Sequence, residues 1–344
     1  MGKIKILWCW AAVPCIPEFF PPDKVELDVV GMKVPPPTEE ELMRLTADVE
    51  FILVRRYYQI TRNVIEAGKN LKMIQRMGRL VNGNIDLAAA RELGVPVAVL
   101  PMSLDMAVAE HVIMFMLALP KMLIRAHTSV VNGDYEKFGL TPTVTTEAGG
   151  LAENWTQLPG DNVYHKTLGI IGMGDIGTAV AERAKGFGVR ILYYKRRRLG
   201  ADEESRLGIQ YTSLQDLLRR ADFVCPLVPH TEETNKMLGR DEFAMMKPTA
   251  YLINVSRGGV IDEKALYEAL RGNLIAGAGL DVFEKEPTPK DNPLLRLDNV
   301  ILTPHCAATW PGGEPIRYDV QRASENIFSV ARGEKPIHGT VNTP

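Results

Sequence analysis

Only four of the 344 residues are cysteine (Cys9, Cys15, Cys225 and Cys306), and they lack the paired spacing of metal ligands. That excludes a disulfide framework or a structural zinc site as the organiser of the fold. Charge of one sign is equally scarce. Forty Lys+Arg against 42 Asp+Glu leave a net charge of −2, which argues against a general nucleic-acid partner. No apolar run approaches the ~20 residues that span a bilayer. The N-terminal run contains Trp8 and Trp10 and is soon followed by Pro14 and Pro17, which suits a strand and loop rather than a signal peptide. What is present is ordinary globular material, 46% hydrophobic and 24% charged, which excludes a disordered chain. At about 100–200 residues per domain the length points to two domains. The expectation is a cytoplasmic protein from a reducing compartment, with no membrane or nucleic-acid partner and no metal.

Short apolar runs alternate with helical stretches. Ile4–Trp8, Glu50–Val54 and Val95–Leu100 read as strands; Thr38–Leu45, with an acidic first turn, and Asn84–Leu93, closed by Gly94, read as helices. Leu104–Ile124 is apolar almost all round, so it reads as a long buried helix with a kink at Pro120. Residues 128–164 read as a long loop or a domain-edge insertion, with 138–162 as the inserted segment. After residue 166 the rhythm is strong. Strands are predicted at Thr167–Ile171, Arg190–Tyr194, Phe223–Leu227, Ala250–Asn254, Ile275–Leu280 and Val300–Leu302. Helices are predicted at Ile176–Phe187, Leu214–Arg219, Arg240–Met245 and Glu263–Leu270, with Ser213 and Asp262 as N-caps. This is a doubly wound α/β pattern.

The first of those strands runs into Gly172-Met173-Gly174-Asp175-Ile176-Gly177, and an apolar helix follows. Alone, GxGxxG is a weak signal. Between a strand and a helix it is a dinucleotide fingerprint. Gly172 allows the tight turn, Gly174 the approach of a pyrophosphate, and Gly177 close helix packing, while the helix N-terminus offers free N–H groups to phosphate. The next strand ends in Lys195-Arg196-Arg197-Arg198, where an NAD site usually carries an acid. A carboxylate there would repel a 2′-phosphate, whereas arginine binds one bidentately. NADP(H) is therefore the predicted cofactor, with NAD(H) as the alternative.

Three later strands end in chemistry-bearing residues: Asn254-Val255-Ser256-Arg257-Gly258-Gly259, then Asp281 to Glu286-Pro287, then Thr303-Pro304-His305. Open α/β sheets bind ligands at the carboxyl ends of their strands, so Arg257, Glu286 and His305 can converge. Reducing a 2-oxo acid requires a cation for the carboxylate, a proton donor for the carbonyl oxygen, and a brace for that donor. Arginine, histidine and glutamate fit those roles.

These segments carry a family resemblance. The chain resembles the D-isomer-specific 2-hydroxyacid dehydrogenases, most of all their NADP-dependent glyoxylate/hydroxypyruvate reductases. The markers are Gly172–Gly177, INVSRGGVID at Ile253–Asp262, AGLDVFEKEP at Ala278–Pro287, TPH at Thr303–His305, and AVAEH at Ala107–His111. The resemblance implies two Rossmann-like doubly wound domains: a dinucleotide-binding domain over 102–306 and a split, flavodoxin-like substrate domain over 1–101 and 307–344. It implies that Arg257 binds the substrate, His305 is the acid/base and Glu286 its partner. Asp281 would face the nicotinamide amide, with Pro229, Thr234 and Val255 along the cofactor. Backbone N–H groups of Leu80 and Val81 would hold a carboxylate, although the family usually has glycine where Val81 stands, and Arg55 would meet a second anionic group. A homodimer acting on a small 2-oxo or 2-hydroxy acid is implied. The alternative is a dinucleotide-sensing, corepressor-like binding protein, since some relatives keep the Arg/Glu/His set without that catalytic use. Trp310, just past His305, is expected either to cap the substrate pocket or to pack in the core.

Overall fold

The computed structural model describes residues 3–9, 16–29, 37–55, 58–78, 84–142, 158–308 and 314–342. The chain divides into two compact units, Met1–Ala107 with Ala308–Pro344, and Val108–Ala307.

The first unit opens with strands β1 (Ile4–Cys9), β2 (Val25–Val29), β3 (Phe51–Val54), β4 (Met73–Met77) and β5 (Val97–Leu100). They lie in the order β5-β4-β3-β1-β2, every pair parallel, which is the flavodoxin-like order. Between them run helices α1 (Ile16–Phe19), α2 (Glu39–Thr46), α3 (Arg62–Ala67) and α4 (Leu87–Glu92). Both faces of β1 and β3 are buried, so their sequences are continuous apolar runs rather than alternations. Successive side chains nevertheless serve opposite faces. Leu7, Cys9, Ile52 and Val54 pack with Leu42, Val64 and Ala89, while Ile6, Trp8, Phe51 and Leu53 form a second core with Phe20 and Met77. Helix α2 starts where Thr38 Oγ1 accepts from Glu41 N at 3.2 Å and Glu41 accepts from Thr38 N at 3.0 Å, a capping box that satisfies two end N–H groups.

The stretch expected to be one helix over Leu104–Ile124 is two. Helix α5 (Ser103–Ala118) stops before Pro120, and α6 (Leu123–Val131) leaves at 62°. Proline lacks the N–H that would continue the ladder and disfavours helix at the residue before it; Met122 then adopts a left-handed backbone, φ 51°. No single described helix is long and apolar enough to cross a membrane.

The second unit carries β6 (Thr167–Ile171), β7 (Arg190–Tyr194), β8 (Ile209–Tyr211), β9 (Phe223–Pro226), β10 (Tyr251–Asn254), β11 (Gly277–Leu280) and β12 (Val300–Leu302). Their order is β12-β11-β10-β9-β6-β7-β8, all parallel. Connecting helices are α7 (Asp175–Ala184), α8 (Ala201–Leu207), α9 (Leu214–Arg220), α10 (Arg240–Met245) and α11 (Glu263–Arg271). Ser213 and Asp262 cap α9 and α11 as expected, each accepting a backbone N–H at 3.1 Å.

The chain then returns to the first unit through α12 (Glu314–Ala331) and β13 (Thr340–Asn342), the latter antiparallel to β5. Polar groups secure the return. Buried Asp319 accepts from Ser103 N and Oγ, both at 2.8 Å; burial still pushes its carboxyl above the usual range. Buried Asn326 donates to Gln75 at 2.9 Å and accepts from the N–H groups of Ile337 and His338.

Candidate functional site

In the second unit the predicted residues follow the carboxyl ends of β6, β7, β10, β11 and β12, on either side of the point between β6 and β9 where strand order reverses. That crevice is where an open α/β sheet binds its ligand. Gly172 has φ +99°, and a Cβ there would stand 2.5 Å from Leu227 O. Gly177 would clash with Gly172 O at the same distance. A Cβ on Gly174, by contrast, meets nothing within 4 Å. Two of the glycines are thus demanded by the protein's own packing, while the third opens a space. The N-terminus of α7 beside it has no side-chain cap, which leaves N–H groups at the positive end of the dipole for a phosphate. Met173 and Asp175 are buried behind the turn. The cradle fits a dinucleotide pyrophosphate.

The four cations after β7 divide into different environments. Lys195 turns back to donate to Met173 O at 3.2 Å, and burial lowers its pKa. Arg198 forms a bidentate pair with Glu204 at 2.8 and 2.7 Å. That pair and a 2.6 Å bond from Tyr193 hold Glu204 down at about 2. Arg196 and Arg197 are exposed, with no hydrogen bond or ion pair among the described residues. Nearby, Thr234 donates to Pro229 O at 2.5 Å and accepts from Thr231 N at 2.8 Å, closing a tight turn.

The Arg257 turn is built by residues that sequence reasoning passed over. Buried Asn254 donates to Arg257 O at 3.0 Å and accepts from Ser256 N at 3.0 Å and Ser256 Oγ at 2.9 Å. A Cβ on Gly258 would lie 1.9 Å from the Phe283 carbonyl, so only glycine lets this turn lie against the Glu286 loop. Val255 is buried and the Arg257 side chain is exposed.

His305 Nδ1 lies 2.6 Å from Glu286 Oε2, and Phe283 N donates to Glu286 Oε1 at 3.0 Å. Burial pushes the Glu286 carboxyl up, but those hydrogen bonds and the charges of His305 and Arg257 outweigh it and hold the group below its usual range. The carboxylate is therefore ionised at neutral pH. His305 itself has φ +54°, a left-handed conformation that persists in a non-glycine residue only where neighbours enforce it. Asp281 is the neighbour that does so. Its Oδ1 accepts from Thr303 Oγ1 at 2.5 Å and Cys306 N at 2.9 Å, and its Oδ2 from Ala307 N at 2.9 Å. His111 Nε2 meets Thr303 Oγ1 at 3.0 Å. Asp281, expected to face a nicotinamide amide, is thus also the anchor of the histidine turn.

In the first unit, buried Asn84 joins two strand ends. It accepts from Arg76 Nε at 3.1 Å and donates to the carbonyls of Arg55 at 3.1 Å and Tyr58 at 2.9 Å. Arg55 is half-buried after β3. Leu80, Val81 and Trp310 lie outside the described residues, as does the 143–157 part of the segment expected to be irregular.

A family model for the D-isomer specific 2-hydroxyacid dehydrogenase NAD binding domain matches residues 113–307. The chain is 38% identical over 301 residues to a glyoxylate reductase of Korarchaeum cryptofilum, covering 88% of this chain and 85% of that one. It is 38% identical over 290 residues to a hydroxypyruvate reductase of Thermotoga maritima, covering 83% and 86%. Among solved structures it resembles a glyoxylate reductase from Paecilomyes thermophila (TM-score 0.56, 27% identity, 97% and 98% of the two chains). It also resembles an NADPH-dependent glyoxylate/hydroxypyruvate reductase from Sinorhizobium meliloti in complex with NADP and malonate (TM-score 0.53, 27% identity, 95% and 93%).

Proposed function

Because this chain belongs to the D-isomer-specific 2-hydroxyacid dehydrogenase family, we propose that it is a cytoplasmic, NADP(H)-preferring reductase of small 2-oxo acids of the glyoxylate/hydroxypyruvate kind. The observation that carries the reading is the 2.6 Å His305–Glu286 pair with Arg257 close enough for its charge to act on Glu286. Arg257 binds the substrate carboxylate through a planar fork and polarises the adjacent carbonyl. The Gly172–Gly177 turn would hold the pyrophosphate of a dinucleotide, which would supply the hydride. His305 donates its proton to the carbonyl oxygen from the ring nitrogen that Glu286 does not engage. Glu286, ionised, keeps the ring oriented and stabilises the protonated form. The curated relatives described above are reductases, which favours catalysis over a dinucleotide-sensing role. NADPH oxidation assayed with glyoxylate, hydroxypyruvate and pyruvate tests the reading; inertness toward every 2-oxo acid overturns it.

The cofactor preference rests on Arg196 and Arg197, since Arg198 is taken up by Glu204 and Lys195 by Met173. The double substitution Arg196→Ala/Arg197→Ala is expected to raise KM for NADPH by roughly 100-fold, at about 1.5–3 kcal/mol per charged hydrogen bond, and to leave KM for NADH little changed. Equal effects on both cofactors overturn the preference.

A homodimer is proposed through the second unit. Leu123, Ile124, Val130 and Val131 expose their side chains along the nine-residue helix α6, and apolar surface gathered in this way marks an interface. Ile124→Asp/Val131→Asp is expected to convert the dimer to a monomer in multi-angle light scattering. A wild-type monomer at micromolar concentration refutes it.

A further inference from the structure

A cavity of about 560 Å³ opens at the amino ends of β6, β7 and β8. Its polar lining is Thr167, Arg190, Gln210, Arg219, Arg220 and Lys247. Strand β6 begins at Thr167 and ends just before Gly172, so at roughly 3.3 Å per residue the cavity lies about 15 Å from the dinucleotide cradle, at the opposite edge of the sheet. Nothing in the proposed reaction uses it. Its volume lies within the range of small-molecule sites, roughly 300–1,000 Å³.

Two independent features give it a chemistry. The first is charge. Lys247 is held by Asp222 at 2.8 Å, and Arg219 lies 3.5 Å from Asp216. Arg190 and Arg220 are exposed and have no ion pair among the described residues. Four cations thus face the space from β7, α9 and the loop after α10, and Asp222 is spent on Lys247 and on the Thr167 N–H, both at 2.8 Å. The second feature is an orphan donor. Thr167 is 2% exposed, yet its hydroxyl has no hydrogen-bond partner among the described residues. Side chains alternate along a strand, so Thr167 shares a face with Gly169. A Cβ on Gly169 would meet Leu217 and Ala221 at 2.5 and 2.9 Å, which identifies that face as the one under α9, where Arg219 and Arg220 end the helix. The Thr167 side chain therefore stands on the face of the sheet that α9 covers. Buried hydroxyls ordinarily find a partner, and a bound acceptor would supply one.

We propose that this cavity binds a small soluble phosphomonoester, its phosphate received by Arg190, Arg220 and the Thr167 hydroxyl and its body by the remaining volume. A phosphate offers three strong acceptor oxygens to donors arriving from β6, β7 and α9 together. A lone carboxylate has two. The site is separate from the one that holds the dinucleotide, so its occupancy does not compete with cofactor.

Isothermal titration of inorganic phosphate and of glucose 6-phosphate into the NADPH-saturated protein, at constant ionic strength, tests this, with neutral glucose as the control. Expected are a retained site for both anions and none for glucose. Binding should weaken at least about tenfold in Arg190→Ala/Arg220→Ala, since each lost charged hydrogen bond is worth about that factor. Thr167→Val, which keeps shape and removes the hydroxyl, should weaken it severalfold with the reductase activity intact. Arg257→Ala should leave it unchanged. Absence of binding, displacement by NADPH, or loss in Arg257→Ala with the double variant unaffected overturns the proposal. Because the cofactor and Arg257 arms report on the proposed reductase site, failure of that reading and failure of this one give different patterns.

Discussion

His305→Ala is expected to lower kcat for 2-oxo acid reduction by about 10²–10⁴-fold, the range that a positioned acid/base supplies, while dinucleotide affinity stays as it was. The two effects separate because the imidazole belongs to the turn after β12, held by Asp281, whereas the cradle belongs to the turn after β6. The left-handed backbone at His305, φ +54°, complicates an alanine, which tolerates that conformation poorly. His305→Asn is the cleaner companion. Asparagine accepts the left-handed region and carries no titrating proton at neutral pH, so it should lose turnover with little cost in thermal stability. Single-turnover NADPH oxidation and fluorescence titration of NADPH read the two quantities. Turnover near the wild-type rate in His305→Asn would remove His305 from the reaction.

Arg257→Ala should depress kcat/KM for the 2-oxo acid by roughly 10²–10⁴-fold, since two hydrogen bonds to a charged carboxylate are each worth about 1.5–3 kcal/mol. Arg257→Lys should recover part of this, because it keeps the charge and loses the planar fork. The turn itself should survive either change. It is held by Asn254 through backbone and Ser256 contacts, and the exposed guanidinium donates to Ser256 O at 2.6 Å. Circular dichroism and thermal melting should therefore match the wild type. An increase in KM confined to the dinucleotide would contradict the assignment.

Legibility differed between the two units for a physical reason. In the second, the predicted strands read as short runs of β-branched and apolar residues punctuated by glycine and capping serine or aspartate, so their boundaries were recovered to within two residues; β6, β7 and β12 matched fully. Helix α8 and strand β8 went unpredicted, and so did most of α6, which continues to Val131 into the stretch from residue 128 that reads as loop. In the first, β4 reads Met-Ile-Gln-Arg-Met, and buried Gln75 and Arg76 hide a central strand. Those polar groups are satisfied by Ala98 O, Asn84 and Asn326, partners that only the folded chain brings to them. Strand β2 and helix α3 were missed with it. Helix α12 was missed although Val320, Ala323 and Ile327 form a buried stripe at helical spacing; the intervening charges and the buried Asp319 obscured it. That stripe was the available signal.

Order along the chain was enough to establish the family and to nominate the site. Glycines at a strand–helix junction, and Arg257, Glu286 and His305 each just beyond a strand, can only meet at one edge once crossovers are right-handed and the sheet is parallel. Packing decided what a linear pattern has no means of expressing. Four adjacent cations look equivalent in the chain, yet Glu204, delivered by α8, takes Arg198, the glycine turn takes Lys195, and two arginines are left facing solvent. Asp281 looks like a cofactor contact and is also the brace of the His305 turn. Roles of this kind depend on which groups arrive within about 3 Å of each other, and that is set by how elements dock, through contacts between residues distant in sequence.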